Sequence, residues 1–147
     1  MCLAVYLGSM SPLPSVPWSE AAPGFYARPL ASHEESVRDV LPLPHLAFLG
    51  AHTGCGCGFI TDGADEPADV RRSREALARY AADALRDGPV ELYVCWGGDA
   101  DLPRERTLTL QPAELPQRDD WLAEGTHVRL VEPLTGDRSD FALASRP

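Results

Sequence analysis

The stretch that decides the fold is residues 66–96, EPADVRRSREALARYAADALRDGPVELYVCW. Its first part, 66–86, predicts a long helix, because Asp65 can cap it, Pro67 falls in its first turn and a Gly-Pro pair follows its end. Residues 90–96 then form an apolar run typical of a buried strand. One face of the helix is apolar, with residues at helical spacing: Val70, Leu77, Tyr80, Ala81, Ala84 and Leu85.

A strand is also predicted ahead of the helix, over 46–49, so that one strand–helix–strand unit spans about 45–96. Working outward from this unit, apolar or alternating runs predict further strands. One of them contains Pro29, which restricts it to an edge of the sheet. These runs are 2–7, 25–30, 106–110 and 126–131, with a last one over 141–144.

Two shorter helices complete the prediction. Ser32 and Glu35 match a capping box at the start of the first, and residues 114–123 form the second. The fold class is therefore α/β or α+β. We expect a single compact domain over 1–147, with a mixed sheet of about five strands packed by one long helix and two short ones.

The charge balance excludes several classes of partner. The chain has 22 acidic and 13 basic residues and a net charge of −9, which argues against nucleic acid and against an anionic membrane surface. No apolar run approaches the roughly 18 residues of a membrane-spanning helix. No basic segment follows Met1 as in a secretory signal, so a cytoplasmic location is expected.

The absence of lysine and asparagine from the chain excludes particular chemistries. Phosphate loops of the Walker type and Schiff-base mechanisms both require lysine. A papain-like triad and N-linked glycosylation both require asparagine.

The most unusual motif is Gly-Cys-Gly-Cys-Gly at 54–58, for which three interpretations remain open. It can be a metal site, with zinc as the expected ion, in which Cys55 and Cys57 supply two thiolates. It can be a thiol-based redox or catalytic site, or a tight crossover in which small residues only pack. In the metal interpretation a tetrahedron would be completed from His52, Cys2, Cys95 or His45.

Two further residues extend this candidate site. His52 lies three residues before Cys55, and a histidine beside a cysteine can produce a thiolate at neutral pH. Asp99 follows strand 90–96, and it would face the thiols if that strand and 46–49 were parallel neighbours. The alternative for Asp99 is a polar turn. Cys95 lies within the apolar strand, where we expect it to be buried.

A non-enzymatic function is the competing hypothesis. The proline- and aromatic-rich segment 11–29 would then form a partner surface or the interface of a homo-oligomer, using Trp18, Phe25 and Tyr26. In the structural alternative, these aromatic side chains pack on the core of their own chain.

Two resemblances complete the sequence evidence. The opening Met-Cys-Leu-Ala-Val-Tyr-Leu, together with His-Thr-Gly-Cys-Gly-Cys-Gly-Phe at 52–59, resembles small bacterial proteins of unknown function. That resemblance implies that both cysteine-bearing segments belong to one site. The Met-Cys start is also similar to that of class II amidotransferases, which implies an N-terminal-cysteine hydrolase as a third hypothesis. Cys2 is followed here by Leu-Ala-Val-Tyr rather than by that family's glycine-rich pattern.

Overall fold

The structure is a computed structural model that describes residues 2–61, 66–98 and 103–133. Those residues contain one long helix, α1, over Ala68–Leu85. Four short 3₁₀ helices cover Ser32–Asp39, Gly56–Phe59, Pro112–Gln117 and Asp120–Leu122. The strands are β1 (Leu3–Ser9), β2 (Tyr26–Pro29), β3 (His45–Gly50), β4 (Val90–Trp96), β5 (Arg106–Leu110) and β6 (Thr126–Leu130).

The strands form one mixed sheet in the order β2-β3-β1-β4-β6-β5. β1 is central and runs antiparallel to both β3 and β4, while β5 and β6 are parallel. The predicted mixed sheet with one long helix is confirmed, with six strands rather than about five. β2, which contains Pro29, lies at the edge as predicted.

The arrangement of β3 and β4 differs from the expectation in one respect. They run in the same direction, but β1 lies between them, so they are not neighbours. Their carboxyl ends therefore lie at the same end of the sheet, with the amino end of β1 between them. The cysteine-bearing segments come together at this end of the sheet.

α1 packs on one face of the sheet. It begins at Ala68, two residues later than predicted, and the proposed cap Asp65 lies outside the described residues. Its buried face includes Leu77 and Ala81, both at 0% exposure. The same face also buries two polar side chains, Ser73 and Arg74, which the apolar pattern did not predict.

Strand alternation divides the interior into two cores. Leu3, Val5 and Leu7 of β1 contribute to the core under α1, while Ala4 and Tyr6 contribute to the core on the other face. The second core is covered by the 3₁₀ helix Ser32–Asp39. Neighbouring residues at the amino end of β1 therefore direct their side chains to opposite faces of the sheet.

The predicted short helices required correction. The first begins after Ala31, and Glu34, not Glu35, supplies the capping carboxylate: the Ala31 N–H donates to Glu34 Oε1 at 2.7 Å. Because the N-cap is Ala31 rather than the predicted Ser32, the third helical position falls on Glu34. The second, 114–123, is instead two 3₁₀ turns, and Pro116 lies inside the first of them.

The strand predicted over 141–144 lies outside the described residues. Among the described helices, none combines the length and the hydropathy needed to cross a membrane.

Candidate functional site

The loop after β3, residues 51–59, forms the core of the candidate site and is called the thiol loop below. A tight turn starts it, in which the Gly54 N–H donates to the Ala51 carbonyl and the Ala51 N–H donates to the Cys55 carbonyl, both at 3.0 Å. Gly54 has φ +88°, a left-handed angle that favours glycine. The 3₁₀ helix Gly56–Phe59 follows and ends the loop.

Gly56 serves a different purpose from Gly54. A Cβ at position 56 would lie 2.5 Å from the Leu3 carbonyl oxygen, closer than a real Cβ can approach. Only glycine therefore lets the thiol loop pack directly against the backbone of β1. This close contact brings the cysteines on either side of Gly56 to the amino end of the central strand.

Three thiols meet at that point. The sulfur atoms of Cys2, Cys55 and Cys57 all lie within 4.8 Å of one another, and we call this group the thiol cluster. The Leu3 N–H donates to Cys57 Sγ at 3.3 Å, which fixes this sulfur against β1. All three cysteines are free thiols, so the cluster can hold a metal ion.

The local environment shifts the pKa values of two of the thiols in opposite directions. Burial of Cys55 opposes ionisation, but the Cys57 backbone N–H, the Thr53 hydroxyl and the neighbouring thiols donate hydrogen bonds to its sulfur, and the pKa of Cys55 is lowered overall. The pKa of Cys2 is raised, because its thiol donates to Cys55 and lies beside two other ionisable sulfurs. Cys55 is therefore the thiol of this pair that ionises first.

Aromatic residues of the segment 11–29 hold the thiol loop in place. The Tyr26 hydroxyl donates to the Gly54 carbonyl at 2.5 Å, and Trp18 Nε1 donates to the His52 carbonyl at 3.2 Å. Phe25 instead packs on Tyr80 of α1, with ring centroids 5.4 Å apart. Trp18 remains 40% exposed. The three aromatic residues proposed as a partner surface thus all contact their own chain.

His52 lies outside the thiol cluster. Its ring Nδ1 is 3.1 Å from the Ser73 hydroxyl, and its backbone N–H donates to the same oxygen at 3.2 Å. The buried hydroxyl of Ser73 thus directs the imidazole toward α1. His45 lies at the start of β3, so it is at the opposite end of the strands from the cluster. Asp99 lies outside the described residues.

Cys95 is not part of the cluster either. It is 1% exposed in the core on the face away from α1, as the apolar pattern of β4 predicted. Of the four cysteines, the structure therefore brings together the two of the thiol loop and the one that precedes β1.

A cavity of about 200 Å³ adjoins the cluster on the face away from α1. Its polar wall is a network that the sequence analysis did not identify, centred on the buried carboxylate of Glu34. Arg28 donates to both carboxylate oxygens, at 2.7 and 3.2 Å, and the Tyr6 hydroxyl donates at 2.9 Å. The lining residues are Cys2, Leu3, Ala4, Tyr6, Arg28, His33, Glu34, Phe48, Cys55, Gly97 and Gly98.

The network fixes the charge of each member. Burial would raise the pKa of Glu34, but the hydrogen bonds from Arg28, Ala31 and Tyr6 outweigh it and lower that pKa. Burial and the neighbouring Glu34 both raise the pKa of Tyr6 well above its usual value, so Tyr6 stays neutral. The sequence around Glu34 indicated only a helix start, where acidic residues are common, and not this role in the cavity.

Comparison with protein-family models, with curated proteins and with solved structures gave no match.

Proposed function

We propose that the protein is a metal-binding protein whose thiol cluster holds one zinc ion. The observation that supports this proposal most strongly is the convergence of three sulfurs within 4.8 Å from segments more than fifty positions apart in the chain. Thiolates are preferred zinc ligands, and three protein ligands with an open fourth position are typical of reactive zinc sites.

The spacing of the sulfurs supports coordination by all three. Zn–S bonds of about 2.3 Å in a tetrahedron place the sulfurs roughly 3.8 Å apart. The cysteines lie within 4.8 Å of one another, so closure around an ion needs only small side-chain rotations. Cys2 is exposed and is the most easily rotated of the three.

The backbone around the cluster supports the same function. The Leu3 N–H donates to Cys57 Sγ, and backbone N–H bonds to a ligating sulfur stabilise its thiolate form. Cys55 receives a comparable bond from the Cys57 backbone. Two of the three sulfurs therefore accept a hydrogen bond from the backbone of the chain.

The experiment is a measurement of metal content by mass spectrometry on protein purified without chelators. We expect about one zinc per chain in the parent protein and its loss in Cys2→Ser, Cys55→Ser and Cys57→Ser. Cys95→Ala is the matched control, because it removes the fourth cysteine without touching the cluster. Zinc-free parent protein, or full zinc retention in all three serine variants, would contradict the proposal.

A further inference from the structure

Two of the three cluster sulfurs adjoin the cavity. Cys2 and Cys55 line it, while Cys57 does not and instead contacts the Leu3 N–H. Within the part of the chain that the structure describes, no histidine, carboxylate or further cysteine joins the group. An ion held by the three thiolates therefore has the cavity beside it, and a fourth ligand would enter from the cavity.

Arg28 lines that cavity and has an edge of its guanidinium that is not used in hydrogen bonds to the described residues. Its Nη1 donates to Glu34 and to the Pro29 carbonyl, and its Nη2 donates once to Glu34. Its Nε and the second N–H of Nη2 donate to none of the described residues. These two donors form the side edge of the guanidinium, a fork that matches a carboxylate.

The guanidinium is also held in one orientation. Its carbon lies 4.0 Å from the centroid of the Phe48 ring, and Glu34 fixes one side of its plane. Because the side chain is 39% exposed, the remaining edge is accessible to a ligand. A preorganised arginine of this kind binds a carboxylate without losing further side-chain entropy.

The size and charge of the site limit the ligand. A cavity of about 200 Å³ is smaller than those that hold drug-sized molecules, so the ligand is a small organic molecule. Three thiolates and a divalent ion together carry one negative charge. A ligand that binds the metal through a thiolate adds a second negative charge there, so any further anionic group on the ligand is favoured at Arg28 rather than at the metal.

We propose that this cavity binds a small mercapto acid. Its thiol loses its proton to solvent as the sulfur takes the fourth position on the metal, and its carboxylate binds the free edge of Arg28. The inference rests on the proposed metal site and adds to it the class of ligand. Sulfur is the donor that a zinc ion already held by thiolates accepts readily.

The test uses the full chain loaded with Co²⁺, whose thiolate charge-transfer bands report the metal site before any ligand is added. Mercapto acids of increasing length are then titrated, each against the mercapto alcohol of the same length, and the Co²⁺ bands follow binding. We expect the best acid to bind at least tenfold more tightly than its alcohol. Arg28→Lys retains a charge beside Glu34 but lacks the second edge, so it should abolish the preference for the acid over the alcohol, which is the ratio that the test compares.

Equal binding of acid and alcohol at every length, or a preference that persists in Arg28→Lys, would overturn the inference and leave the metal site intact. Absence of thiolate bands with Co²⁺ would instead overturn the proposed function, and the inference with it. The two failures are distinguished because the second appears before any ligand is present.

Discussion

The Tyr26 hydroxyl donates a hydrogen bond to the Gly54 carbonyl oxygen at 2.5 Å, and the Tyr26 ring covers Gly50 at the end of β3. A Cβ on Gly50 would lie 2.0 Å from Tyr26 Cε1, so this ring position depends on glycine. The edge strand β2 thus supports the turn that precedes Cys55. The geometry of the thiol cluster depends on a residue that is not one of its ligands.

Tyr26→Phe tests this support. It keeps the ring on Gly50 but removes the hydrogen bond to Gly54, so we expect a stability loss of about 1 kcal/mol and weaker zinc binding. Tyr80→Phe is the matched control, because it removes a similar bond to the Pro14 carbonyl on the other side of the fold. Urea denaturation and a competitive chelator titration measure the two effects. Equal zinc affinity in both variants would show that Tyr26 does not position the loop.

Gly56→Ala tests the close packing of the thiol loop on β1. The new Cβ would lie 2.5 Å from the Leu3 carbonyl oxygen, so the loop must move away from the strand. We expect about 1–3 kcal/mol of lost stability and at least tenfold weaker zinc binding. Gly24→Ala is the control, because nothing lies within 4 Å of a Cβ placed there. Zinc affinity unchanged by Gly56→Ala would mean that the loop approaches β1 less closely than described.

Arg74 connects the end of the thiol loop to the rest of the fold. Its side chain is 3% exposed, its Nε donates to the Phe59 carbonyl at 2.6 Å, and its Nη2 donates to Asp119 at 2.6 Å. We expect Arg74→Met to cost roughly 1.5–3 kcal/mol, because the Phe59 carbonyl loses its charged donor. Asp119 is 68% exposed, so Asp119→Asn should cost less than about 1 kcal/mol. Similar losses in the two variants, measured by urea denaturation, would contradict this division.

The Glu34 carboxylate predicts a dependence of stability on acid pH. Its pKa is lowered in the folded protein, so its stabilisation is complete above the unfolded value, near 4.5, and is lost as the pH falls through the folded value. Glu34→Gln should therefore be less stable by about 1–3 kcal/mol at neutral pH, and the difference should shrink below about pH 4. Urea midpoints measured across this range test the prediction. A constant difference at all pH values would show that the charge of Glu34 is not involved.

The strands and α1 were predictable because each produces a local pattern of apolar residues. The thiol cluster was only partly predictable. Cys55 and Cys57 are separated in sequence by Gly56 alone, but the approach of Cys2 to them depends on β1 lying between β3 and β4, which no local pattern encodes. His52 was proposed as a ligand on sequence proximity alone. Its orientation is set by Ser73, which lies 21 residues away on α1.

The cavity network could not be predicted for a similar reason. Glu34 lies in a short helix start where acidic residues are common, and its sequence context indicates only capping. Its partners Arg28 and Tyr6 come from two strands that meet it only in the folded chain. Polar residues buried by long-range contacts have no periodic signature in the sequence.

The position of Cys2, immediately before the central strand, has a consequence for strand alignment. Sliding β1 by one residue against its neighbours would turn every side chain of the strand to the opposite face and withdraw the Cys2 sulfur from Cys55 and Cys57. An ion bound to all three sulfurs would therefore lock the longitudinal register of β1. Loading with metal would report that the middle of the sheet has assembled in the correct alignment, and misaligned chains would be left unloaded.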